Sequence, residues 1–71
     1  MTNPNDRIHG NDEIESASTL LNAGIESYQR NNWTFALIYL GISEKIFNRR
    51  GDYWNAQIAR DWSNAVRLAS T

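Results

Sequence analysis

Residues 33–42 read "WTFALIYLGI", and apart from Thr34 and the bare backbone of Gly41 nothing in them seeks water. The run is half the ~20 residues a membrane span needs, so it predicts a helix inside a folded domain. Asn32, just before it, is a natural N-cap. Continued to residue 50, the helix carries Trp33, Ala36, Leu37, Leu40 and Phe47 on one side. Phe35, Ile38, Ile42 and Ile46 mark another side. A helix apolar nearly all round is expected to be buried between neighbours, so the flanking sequence must supply one on each side.

Upstream, Asp12 with Glu15 three residues on forms a capping-box pattern, and Glu13 and Glu15 suit the positive end of a helix dipole. A first helix is therefore expected over about 12–31. It has two apolar stripes: Ala17, Leu20, Gly24 and Ser27 on one, Ile14, Leu21, Ile25 and Tyr28 on the other. Downstream, Lys45, Arg49 and Arg50 suit a helix C-terminus, Gly51 can take the left-handed conformation that ends it, and Asp52 can cap the next helix. The third helix, about 53–69, sets Trp54, Ile58, Trp62, Ala65 and Ala69 on a stripe opposite a polar face. Short connections make the fold an all-α set of three antiparallel helices (about 12–31, 33–50 and 53–69), in one domain over residues 12–71. Gly24 and Gly41 inside the helices predict close approach to a neighbouring helix. Residues 1–11, "MTNPNDRIHGN", read as a flexible tail.

The 71-residue length bounds the stability, because a core this small rarely supplies more than ~3–5 kcal/mol without disulfides, a metal or association. There is no cysteine. The single histidine, His9, lies in the tail and reads as solvated, so no metal site, cofactor or catalytic residue is expected. No serine, aspartate or glutamate is spaced to pair a nucleophile with a base, and no glycine loop could cradle phosphate. Glu26 and Glu44 could meet across two helices, but solvated or capping roles fit them better. Association is the remaining source of stability. The charge of −1 divides into −4 over residues 1–29 and +3 over residues 30–71, a split that could orient head-to-tail contacts. The N-terminus lacks the apolar centre of a signal peptide, and a cytoplasmic location is expected, with the sequon Asn32-Trp33-Thr34 unused.

The stretch "LLNAGIESYQRNNWTFALIYLGISEKI" resembles a tetratricopeptide repeat. Leu20, Ala23 and Gly24 fall at the family's first three positions, and Ser27 takes the place of its tyrosine, one residue before Tyr28. Trp33, Ala36 and Ser43 match the aromatic, alanine and second small positions of the following helix. "EKIFNRRGDYWNAQIARDWSNA" is similar to variant repeats in which a "GD" turn leads into the next helix. The turn proline of the pattern is missing and Gly41 has no counterpart in it. The resemblance implies a helical hairpin plus a capping helix, with a partner groove lined by the first helix: Ser18, Leu21, Asn22, Ile25, Glu26 and Gln29. That helix lacks the basic pair with which other members clamp a terminal carboxylate.

One hairpin is fewer than the three or so units such repeats need, so something must complete it. The leading expectation is a non-enzymatic protein–protein interaction module that forms a homodimer, binds a partner peptide or helix, or both. The Leu21 and Ile25 stripe is the expected dimer interface. The alternative is a helix-turn-helix regulator presenting Asn55, Gln57, Arg60, Asn64 and Arg67 to nucleic acid after the Gly51 turn. Net negative charge and Asp61 within that face count against it.

Overall fold

A computed structural model describes the backbone from residue 4 to residue 71 and the side chains from residue 13 onward. It contains helices α1 (Pro4–Gln29), α2 (Trp33–Arg49) and α3 (Tyr53–Ala69) in that order. The all-α, three-helix expectation holds, and the ends of α2 and α3 fall within a residue of where the sequence put them. The start of α1 differs. It begins at Pro4 instead of Asp12, so residues 4–11, read as tail, have helical backbone. Proline is at home in a first turn, where its fixed φ fits and its missing N–H is no loss. Gly10 and Asn11 cost at most ~1 kcal/mol each, too little to stop a helix that continues on both sides. Asp12 is therefore interior to α1 and does not cap it. The side chains of His9 and Asp12 lie outside the described residues.

Both connections use the same device. Asn31 (φ 61°) and Gly51 (φ 77°) are left-handed, as the residue after a helix C-cap commonly is. Asn32 N–H donates to Ser27 O at 2.8 Å and Asn31 N–H to Tyr28 O at 3.0 Å; Asp52 N–H donates to Phe47 O at 2.8 Å and Gly51 N–H to Asn48 O at 3.1 Å. Each pair is a Schellman turn that satisfies the carbonyls left over at a helix end. The second residue of each turn then starts the next helix: Asn32 accepts from Phe35 N–H at 3.5 Å, and Asp52 from Asn55 N–H at 3.3 Å. One helix ends and the next begins within three residues, which forces consecutive helices to run back along each other.

Small residues make the packing close. Ala36, Leu40, Ser43 and Phe47 form the fully buried stripe of α2. Ala17 and Gly24 meet it from α1, and Ala56, Ala59, Ser63 and Val66 from α3. Two clusters result, Ala17–Phe47–Ala56 and Ala36–Leu40–Val66, with Leu21 packed against both. The Ser43 and Ser63 hydroxyls donate to the carbonyls of Leu40 (2.9 Å) and Ala59 (3.0 Å) within their own helices. They thus serve as small residues without leaving a polar group unpaired. The inward stripe of α1 is Ala17, Leu21, Gly24 and Tyr28, which takes alternate members of the two expected stripes.

The expectation that Gly41 admits a close neighbour is not met: a β-carbon there would touch nothing within 4 Å, whereas one on Gly24 would stand 2.5 Å from Leu40 Cγ. In α3 the stripe Trp54–Ile58–Trp62–Ala65–Ala69 is not the buried one; Trp54 is 79% exposed. The two outer helices barely touch. The molecule is accordingly a flat arc of 53 × 20 × 12 Å. Its radius of gyration of 13.5 Å compares with about 11 Å for a compact chain of this length.

Candidate functional site

Three surfaces could carry a function, and all follow from the open arc. The first is the expected groove on α1. Ser18, Asn22, Glu26 and Gln29 are exposed, while Leu21 and Ile25 are half-buried. Leu21 is already in use, packed against both core clusters, which corrects the expectation that its stripe is left uncovered. Ile25 belongs to neither cluster. Across the groove, at the end of α1, the Tyr28 ring meets Trp62 of α3 edge-on (5.5 Å) and Trp33 at a tilt (5.7 Å). The Tyr28–Trp62 pair joins α1 to α3, and Trp33 of α2 completes the ring cluster.

The second surface is α3. All five of its polar side chains proposed to read bases are engaged within the chain. Asn55 Nδ2 donates to Asp52 Oδ2 (2.7 Å), Gln57 Nε2 to Asp61 Oδ1 (3.0 Å), Arg60 Nε to Glu44 Oε2 (3.1 Å) and Arg67 Nη1 to Asn64 Oδ1 (3.1 Å). Glu44, which could have met Glu26, is instead held by Arg60, whose Nη2 lies 3.0 Å from the same oxygen. That ion pair spans a shallow cleft lined also by Asn48, Tyr53, Ala56 and Gln57. Arg49 and Arg50 are likewise spoken for. Both reach Glu13 on α1, Arg49 Nη2 at 3.3 Å, so they tie the two helices together in addition to facing the α2 terminus.

The third surface is one the sequence misassigned. Phe35, Ile38 and Ile42 were expected to be covered; they are 50%, 48% and 44% exposed on the side of α2 turned away from the core. Phe35 stacks on Tyr39 one turn later (6.1 Å), which rigidifies the start of this face. Gly41 lies on the same outward side. A second shallow depression, lined by Glu15, Ser16, Thr19 and Leu20, marks the outer side of α1. The sequence did hold a signal for the α2 face: no charged residue occurs between Arg30 and Glu44. That pattern alone does not separate the two cases, because an intrachain neighbour and a second molecule call for the same apolar residues.

Among the described residues no group of three or more His, Asp or Glu could hold a metal ion, and no helix is long and apolar enough to cross a membrane. Comparisons with protein-family models, with curated proteins and with solved structures returned no match.

Proposed function

We propose that this chain is a non-enzymatic protein–protein interaction module, a tetratricopeptide-like hairpin with a capping third helix, and that it associates with itself. The observation that carries this reading is the exposed outer face of α2. The central, most apolar helix of the chain is covered on one side only. Domains normally bury their helices between at least two packed layers, and this one has a single layer. Burial of Gly24, Ala36 and Ser43, the small positions of the repeat pattern, supports the tetratricopeptide-like reading. In repeat proteins such a hairpin face is covered by stacking against a neighbouring unit, and a second copy would supply that surface. The cytoplasm remains the proposed location.

Concentration-dependent unfolding tests the reading. Mass action makes the melting temperature of a self-associating chain rise with chain concentration. A melting temperature constant over a hundredfold range of concentration rejects self-association.

A further inference from the structure

We infer that the outer face of α2, centred on Ile38, Gly41 and Ile42, is where a second copy of the chain docks, α2 against α2 and antiparallel about a two-fold axis. This deepens the reading above and rests on it.

Of the apolar surfaces left uncovered, this one suits self-contact best. On α3, Trp54 and Leu68 are more exposed, but Asp61 lies midway between them on the same face, so docking there would bury a carboxylate. On α1, Leu21 is already committed to the core. The α2 face carries no charge from residue 31 to residue 43.

Gly41 gives a second, independent reason. Gly24 is required by the Leu40 side chain against it, but nothing inside the chain requires a glycine at 41. A glycine in the outward face of a helix lets another helix approach closely, and the uncovered isoleucines on either side would then interdigitate with that helix.

Charge sets the orientation. Lys45 is a cation near the C-terminal end of α2, where Arg49 is already paired with Glu13, whereas the first turns of the helix are uncharged. A parallel pair would bring like charges together; an antiparallel pair sets each cationic end against the partner's uncharged start and opposes the two helix dipoles.

The accessible surface of 5083 Å² exceeds the roughly 4,500 Å² of a compact monomer of this mass, in keeping with an open chain that leaves a helix face uncovered.

Sedimentation equilibrium on four forms of the full chain tests this, with circular dichroism as the check on folding. The wild type and Ile25→Glu are expected to be dimers of equal strength. The double variant Ile38→Glu/Ile42→Glu and the single variant Gly41→Arg are expected to keep their helicity and weaken the dimer about a hundredfold or more. Gly41→Arg decides the matter if the double variant fails to fold, because its added side chain points into open space. Dimers that survive both α2 changes but dissociate in Ile25→Glu overturn this interface and leave the self-association reading standing. Open-ended polymers overturn the two-fold arrangement. A wild type that is a monomer at every concentration overturns both.

Discussion

A β-carbon added to Gly24 would stand 2.5 Å from Leu40 Cγ and 2.7 Å from its Cδ2, and Leu40 is fully buried and cannot swing away. Gly24→Ala would gain about 1 kcal/mol in helix propensity, but overpacking a tight contact costs ~1–3 kcal/mol. The expected result is a net loss of about 1 kcal/mol, read as a lower urea midpoint. Gly41→Ala has no clash to offset the same gain. At concentrations too low for copies to pair, it should raise stability by up to ~1 kcal/mol, read as a higher urea midpoint. Opposite signs for these two substitutions are the residue-level signature of the packing described; equal signs would contradict it. Phe47 is the largest fully buried side chain, and Phe47→Ala should cost ~3–5 kcal/mol, enough to unfold a chain this short. The Glu13 ion pairs with Arg49 and Arg50 are partly exposed, so Glu13→Gln should change stability by no more than about 1 kcal/mol.

The helices owe their boundaries to two turns, and those turns were readable because their chemistry is local. Asn31-Asn32 and Gly51-Asp52 each pair a residue suited to positive φ with a side chain able to cap. Gly51→Ala places a β-carbon at φ 77° and should cost ~1–2 kcal/mol; Asp52→Ala removes the acceptor for Asn55 N–H and should cost about 1 kcal/mol. Thermal melts would show both, and a neutral Asp52→Ala would mean the cap bond contributes nothing. Which face of each helix turns inward was less legible. In α3 the largest apolar residues, Trp54, Ile58 and Trp62, suggested the core stripe, yet Ala56, Ala59, Ser63 and Val66 take it. Hydrophobic periodicity weighs side chains by size, whereas helices packed this closely select small ones. In α1 the stripe of larger apolar residues, Ile14, Leu21, Ile25 and Tyr28, outweighs that of Ala17, Leu20, Gly24 and Ser27, yet the observed one draws on both. The start of α1 was missed because an N-terminal segment rich in Asn, with Pro and Gly, looks like a tail unless proline is read as a first-turn residue.

At the scale of the molecule, three helices form one flat arc in which the outer two scarcely meet. The fold class and the antiparallel order follow from the sequence alone. The candidate surface does not, because intrachain and intermolecular burial write the same apolar pattern, and only the packed fold shows which half of α2 the chain covers for itself. Ser18, Asn22, Glu26 and Gln29 are exposed, and the proposed dimerisation through the outer face of α2 would leave them free for a partner peptide. A monovalent partner would then bind once per chain, two per dimer. The most direct test of the central claim is molar mass by light scattering over a dilution series of the unmodified chain. The account predicts a mass that falls from twice 8.2 kDa toward 8.2 kDa on dilution, with the melting temperature falling alongside it. A folded chain whose mass stays at 8.2 kDa at every concentration would contradict it.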